Sequence, residues 1–512
     1  MKIIFQITFF ISLFFLAIES FAQSFNGYTL YAKQSSSTVY LIDENASIAK
    51  TWSCSGSSNY AVALKDNGNI IRGVRNNGNA LNGAAIAGKV QEVDPTGATV
   101  WEFVYSSSTY CTHHDICAMP NGNVLLIAWE VKTPTELTQA GYANATSDKW
   151  PPHIIEVQQN GTGGQIVWEW HMWDHMIQDH DPSKDNYGVV ANNPQLMDIN
   201  AITSGGGGGG PGGGGGGPGG GNGDWFHVNG IDYNPTLDQI VFSARHAHEI
   251  YVIDHSTTTV EAAGHTGGNS GKGGDLLYRW GNPSNYGASG TQTITNAVHD
   301  PRWILPGRPN EGYIQFFNNS GGSGGSSVVD AINPPLNGYT YTLTSGQAYS
   351  PSTQDWRHDC LANSSGQSAS DRMSNGNTFV ALSNQYMYEV DSNGTQVWAY
   401  PDDPAKAFRY ECDHPGLAVL LGANPCGLPT GVNEIDDTGI TLYPNPSTGV
   451  VTLDGVSEIN LSIAVFDLYG RLISEYLNQS SFDLSAYPSG MYYVSIKQGD
   501  TNLINKKVTL IK

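Results

Sequence analysis

Basic charge is what this chain has least of. Lys and Arg together number 24 against 46 Asp and Glu in 512 residues, the formal net charge is −22, and no basic run exceeds a pair. Such a chain repels a phosphate backbone, which excludes nucleic acid as a partner. Charge of either sign is scarce, at 14%, and that speaks against long salt-bridged helices. Cys-x-x-Cys spacing is missing, so a zinc ribbon is unsupported. The His-Glu-x-x-His pattern of a metalloprotease is missing as well. Beyond residue 22 no apolar run is long enough to cross a bilayer, so the mature chain is expected to carry no transmembrane segment. What is plentiful is Gly, at 61, and Tyr, at 26. Those are turn and strand residues, and they favour an all-β protein.

Both ends read as addresses. Residues 1–22 combine Lys2, an apolar run from Ile3 to Ile18, and the small residues Ser20 and Ala22, which is a signal peptide cleaved after Ala22. The six cysteines, Cys54, Cys111, Cys117, Cys360, Cys412 and Cys426, therefore meet an oxidising compartment, where disulfides are expected. A bridge between Cys111 and Cys117, around "CTHHDIC", is narrowly favoured. At the other end, residues 440–512 show period-2 strands separated by Gly, Pro and Asp turns, a small β-sandwich following a linker at 431–439. The "YPNPSTG" opening, the "VFDLYGRL" strand and the "LSAYPSGMYYVSI" hairpin resemble the type A sorting domain of the type IX secretion system. That resemblance implies export across the outer membrane of a Gram-negative cell, with the secretion machinery as a partner and a secreted or cell-surface destination.

Residues 23–430 repeat. "LIDENASIAKTW", "EVDPTGATVWEF", "IEVQQNGTGGQIVWEW" and "YEVDSNGTQVWAY" share a strand ending in Asp or a polar substitute, a turn, and a strand carrying Trp. "LKDNGNIIRG", "AMPNGNVLLIAWE" and "RMSNGNTFVAL" add an Asn-Gly turn feeding an alternating strand. The copies recur roughly every 50–100 residues, too far apart for a solenoid rung and right for the four-stranded blades of a β-propeller, of which about six fit.

Two insertions interrupt the pattern. One carries His171, His175 and His180; on a helix the four-residue step would put His171 and His175 on one face, but packing of the surrounding tryptophans is the favoured role and no metal is assigned. The other, residues 205–223, is almost pure glycine. It lacks the strand, helix and Lys or Ser/Thr of a phosphate loop and reads as a surface loop.

Between the addresses, "DWFHVNGIDYNPTLDQIVFSARHAHEIYVID", "CTHHDIC", "AVHDPRWILPGRPNEGYIQFFNN" and "FRYECDHPGLA" resemble, in order, the motifs of the bacterial arylsulfate sulfotransferases over roughly residues 38–425. The resemblance implies a six-bladed propeller that moves a sulfuryl group from a phenolic sulfate ester to a phenolic acceptor. It uses neither the nucleotide donor PAPS nor any other cofactor, and its carrier is a transient sulfohistidine. Matched by motif, the nucleophile falls on His299, the anion-binding arginine on Arg245, and the remaining contacts on His114, His227 and Asn229. Gly230 stands where relatives often have serine. Trp225 is expected to pack a blade and to offer an aromatic wall to the substrate.

Elementary chemistry agrees with those roles. Sulfuryl transfer has a loose transition state with charge spread over three oxygens, which asks for positioned donors and an in-line nucleophile. Arg245 offers a charged planar fork unless it pairs with Glu249 or Asp232, and His114 is preferred over its neighbour His113 as the ring facing the site. His246, His248, His358 and His414 read as ordinary turn or interface histidines. Two other classes compete: a non-catalytic propeller that binds glycan or protein, and a hydrolytic sulfatase. The second fails because its Cys/Ser-x-Pro-x-Arg stretch is absent. A homodimer is compatible with this reading, as is a monomer.

Overall fold

The computed structural model describes residues 23–202, 223–426, 440–467, 472–498 and 501–512, the side chains of the last stretch from 506 onward. The signal peptide, nearly all of the glycine tract and the linker lie outside the described residues. Contacts divide the chain into two compact units, Met1–Gly422 and Ala423–Lys512.

The repeats explain the first unit. In each Asn-Gly copy the first Asn side chain accepts from the backbone two residues on, as in Asn67 to Asn69, Asn121 to Asn123 and Asn375 to Asn377. Gly68, Gly122 and Gly376 follow with φ of 81°, 88° and 91°, which closes a tight hairpin. The second Asn of each copy reaches the adjoining strand and donates to Glu92, Glu156 or Glu389. Two residues after Glu92 and Glu389, Asp94 and Asp391 fold the outer turn by accepting from the backbone two and four residues ahead. Trp52, Trp101, Trp168 and Trp398 then bury their rings between sheets.

Among the described residues, the result is six four-stranded antiparallel sheets between Gly27 and Glu411. Their first strands are Lys406–Glu411, Ser58–Leu64, Tyr110–Ala118, Val228–Asn234, Val298–Trp303 and Ala369–Arg372. Each packs on the next and the last returns to the first, so the sheets close into a ring that leaves only short outer edges. Closure joins the two ends of the unit: Gly27–Ala32 pairs antiparallel with Lys406–Glu411.

The second unit has a three-stranded sheet, Thr441–Tyr443, Val450–Asp454 and Ser481–Asp483, and a four-stranded one ordered Leu472–Leu477, Leu461–Phe466, Gly490–Gln498 and Thr501–Leu510. Alternate residues such as Val451, Leu453, Ile463, Val465, Val494 and Ile496 face inward and form its core.

Two expectations are corrected. Cys111 and Cys117 are both free; they sit at opposite ends of the strand Tyr110–Ala118, whose rise of about 3.3 Å per residue holds them far beyond disulfide reach. Cys412 and Cys426 are the disulfide-bonded cysteines. His171 and His175 share no helix either: His171 ends the strand Gly163–His171 and His175 ends the 3-10 turn Met172–His175.

Candidate active site

A regular inner strand would send alternate side chains into the ring and into the sheet. Four of the six break that alternation, with register shifts at Ser58/Val62, Thr112/Ile116, Val228/Gly230 and His299/Arg302. Two of these bulges hold a bulky residue in the left-handed region, His114 at φ 51° and Asp300 at 51°, and His227, just ahead of a third, sits there at 52°. Each such conformation costs on the order of 1–3 kcal/mol, and bulges re-aim side chains. Strain is thus concentrated where the motif histidines lie. At Gly230 a Cβ would meet Asp300 N at 2.7 Å, so two inner strands touch through its bare backbone.

The bulges bring three imidazoles together. His114 and His227 meet edge to face with ring centroids 4.6 Å apart, and Tyr60 borders His114 at 5.7 Å. His113 turns away to stack on Trp129 at 4.0 Å, while its Nδ1 lies 2.8 Å from that of His114. His227 Nδ1 donates to Asp224 Oδ2 at 2.7 Å, and Trp129 Nε1 donates to the other oxygen at 3.0 Å. Burial pushes the Asp224 carboxyl up, but the charge and hydrogen bond of His227 outweigh it and hold it at about 2. A permanent anion therefore orients His227 and leaves its Nε2 free.

His299 is buried, and its Nδ1 lies 2.7 Å from Asn319 Oδ1 and 2.8 Å from Ala297 O. The Asn319 amide is itself fixed, because its Nδ2 donates to Ser364 O at 2.9 Å. Both partners of Nδ1 are acceptors, so Nδ1 carries the proton and Nε2 presents its lone pair. Burial first, then the charge of Arg245, push His299 well below the usual imidazole value. Burial, with His227 and the other surrounding cations, does the same to His114. Both rings are neutral near pH 7.

Arg245 opens the turn after Gln239–Ala244, its backbone N–H donating to His227 O at 3.1 Å. Neither carboxylate that might have claimed it does so. Glu249 is taken by fully buried Arg279 at 2.7 Å, and Asp232 accepts from Trp303 N at 3.0 Å. Arg245 has no ion pair among the described residues, and its Nε is buried without a partner. Its charge is felt by His299, His114 and Tyr60. Beside it, Lys406 Nζ bridges Asp115 at 2.6 Å and Asp300 at 2.7 Å. The guanidinium thus keeps donors unspent while its charge reaches two buried imidazoles.

Of the six expected site residues, His299, Arg245, His227 and His114 converge. Asn229 differs: it is fully buried, its Nδ2 donates to Val298 O at 2.9 Å, and its Oδ1 accepts from Ser243 Oγ at 2.5 Å. Engaged at both ends, it braces the backbone next to His299. Trp225 also differs. It is fully buried against Tyr142 and Phe226 and donates to Ile202 O, which makes it core and not a substrate wall. His246, expected as an ordinary turn residue, lies 4.8 Å from His227. His358 sits on the outer strand Trp356–Asp359 against Tyr388, and His414 caps the helix Pro415–Leu421. Sequence reasoning missed Asn319, Asp224, Tyr60 and Lys406. The dipeptide His-Asp occurs at 114–115, 180–181, 299–300 and 358–359, and Lys406 holds the aspartates of the first and third, a choice the sequence does not mark.

Comparison with known proteins gives two family matches. The family described as Arylsulfotransferase (ASST) matches residues 17–332, a span that contains His114, His227, Arg245 and His299, and a Secretion system C-terminal sorting domain matches 441–511. No curated protein matches significantly. Among solved structures, a protein of unknown function from Bacteroides caccae is 11% identical with TM-score 0.39, covering 75% of this chain and 98% of its own. The periplasmic gluconolactonase PpgL of Pseudomonas aeruginosa is 11% identical with TM-score 0.37, covering 95% and 99%. BamB of Moraxella catarrhalis is 10% identical with TM-score 0.30, covering 75% and 87%. The sorting domain marks the chain for export across the outer membrane, to the cell surface or beyond, and no helix among the described residues is long and apolar enough to cross a membrane. With more than half its length matched by the family, the chain belongs to the arylsulfotransferase family, whose activity is aryl sulfate sulfotransfer.

Proposed function

We propose that the chain transfers a sulfuryl group from a phenolic sulfate ester to a phenolic acceptor by a two-step exchange through His299. Arg245 receives the sulfate oxygens with His114 beside it. In the first step His299 Nε2 bonds to sulfur, the bond from sulfur to the aryl oxygen breaks, and the phenolate leaves with the electron pair. Proton donation to that oxygen falls to His227, because burial keeps His114 neutral, whereas Asp224 fixes the His227 ring by its Nδ1 and leaves Nε2 open. In the second step an acceptor phenol surrenders its proton to His227, its oxygen bonds to sulfur, and the nitrogen–sulfur bond breaks. His299 is regenerated, and no nucleotide or metal enters the balance.

The observation that carries this reading is the clamp on His299. Asn319 and Ala297 hold its proton on Nδ1, which leaves a bare Nε2 in the field of an arginine that no carboxylate neutralises. A nucleophile needs the lone pair, and an anionic substrate needs the unneutralised charge. Incubation of the mature chain with p-nitrophenyl sulfate alone should add one SO3 group to the peptide containing "AVHDPRW", and phenol should then discharge it. A propeller that only binds aryl sulfates would hold the ester without that adduct, and an adduct on His114 or His227 would move the nucleophile.

A further inference from the structure

A second histidine cluster lies outside the ring. His175, at the end of the turn Met172–His175, meets His265 and Asp275 from the loop between the short helix Thr259–Ala262 and the strand Tyr278–Trp280. One ligand-type atom from each, all within 4.8 Å of one another, faces a common point.

The hydrogen bonds within the cluster do not balance. His175 Nε2 lies 2.8 Å from Ala262 O, and a carbonyl only accepts, so that nitrogen carries a proton. In a neutral ring Nδ1 is then a bare lone pair, yet it faces Asp275 Oδ1 at 3.0 Å. His265 Nδ1 points at the same oxygen from 2.7 Å. Two ring nitrogens and a carboxylate oxygen aimed at one another leave room for one added positive charge among them, a proton or a cation. We propose that His175 Nδ1, His265 Nδ1 and the Asp275 carboxylate bind a divalent d-block cation of the zinc class.

The surroundings fit that assignment. A metal-bound histidine donates its other nitrogen to a carbonyl or carboxylate, and His175 does so to Ala262. The ring is buried and stacks on Trp170 at 5.7 Å and 7°. Trp170 Nε1 in turn donates to Gly274 O at 2.7 Å, and a Cβ on Gly274 would lie 1.9 Å from Ala262 O and 2.6 Å from His175 Nε2. Glycine at 274 is what lets Asp275 come up beneath the imidazole. His265 is 59% exposed, so it can swing, and the fourth position opens to water. Bonds of about 2.0–2.1 Å would set tetrahedral ligand atoms about 3.3 Å apart, an opening of only a few tenths of an ångström. Two nitrogens and one oxygen suit zinc, copper or nickel and are a poor set for calcium or magnesium. The ion would clip together residues 100 positions apart in sequence.

The test uses the full chain without an affinity tag, stripped by chelator and titrated with Zn2+ or Mg2+ alone. One equivalent of Zn2+ should bind and raise the thermal midpoint, Mg2+ should not, and Co2+ should give the visible d–d bands of a tetrahedral site. His265→Ala touches an exposed ring, so it should leave the metal-free midpoint in place, weaken Zn2+ at least about tenfold and abolish the Co2+ bands. Asp275→Asn should weaken Zn2+ similarly. Absence of saturable binding in the wild-type chain, or identical Zn2+ titrations for wild type and His265→Ala, would overturn the assignment.

Discussion

His299 and His175 are both buried imidazoles with one nitrogen tied to a carbonyl, and they are prepared for opposite chemistry. At His299 the tied nitrogen is Nδ1, bound to Asn319 and Ala297, and the free Nε2 lies in the field of Arg245 and His227. At His175 the tied nitrogen is Nε2, bound to Ala262, and the free Nδ1 meets the carboxylate of Asp275. A lone pair in a cationic field awaits an electrophile that arrives as an anion. A lone pair beside a carboxylate awaits a cation. The residue type is the same, and the sign of the charge in front of the free nitrogen decides the chemistry.

The comparison breaks most sharply at His299. His299→Ala should lower turnover by at least about 10⁴-fold in a sample whose melting profile is unchanged, since no other lone pair is positioned to carry the group. A variant that loses stability but keeps its rate would return His299 to the core. Next comes Arg245→Ala, which removes the cationic field: roughly 10²–10³-fold should disappear from adduct formation, with the adduct still on His299. If aryl sulfate turnover survives it undiminished, the anion is held elsewhere.

Asn319→Ala is subtler, because Ala297 O remains to hold Nδ1. Without the amide the ring samples the wrong tautomer, and kcat should fall about 10- to 100-fold with KM little changed. A loss confined to KM would contradict a positioning role. The smallest effect is on stability against acid. Burial holds His113 down at about 3, so the unfolded chain takes up a proton that the folded one refuses. Stability from this ring is full above pH 6.5 and erodes as pH falls toward 3, by up to about 1.4 kcal/mol per unit. His113→Phe keeps the stack on Trp129 and should flatten the urea midpoint against pH by that slope, whereas an unchanged slope would mean that His113 ionises in the folded chain.

The repeats were legible in the sequence because each signal is local: the Asn-Gly turn is written in adjacent residues, and the Asp turn and its buried Trp lie within about a dozen of each other. The axial histidines and Arg245 were legible only as motifs. Nothing in "AVHDPRW" reveals that Asn319 will fix the tautomer, since the two meet across a hairpin. The bracing role of Asn229 was hidden too, because Ser243 and Val298 O reach its two ends from other strands. Bulges are equally silent, for left-handed geometry at His114 and His227 is imposed by ring packing against local preference. His175 was misplaced for a related reason: a four-residue step suggested a helical pair with His171, whereas its partners lie on a loop a hundred residues away.

Ring closure has a consequence for when the protein becomes competent. Lys406, whose ammonium separates the buried carboxylates of Asp115 and Asp300, belongs to the strand that pairs with Gly27–Ala32, so the start of the ring waits for nearly its last strand. A chain halted before residue 406 would carry His114, His227, Arg245 and His299, yet would leave Asp115 and Asp300 with no ammonium between them. Competence is thereby expected to follow completeness: a chain that ends before Lys406 should be silent even with those reacting groups intact.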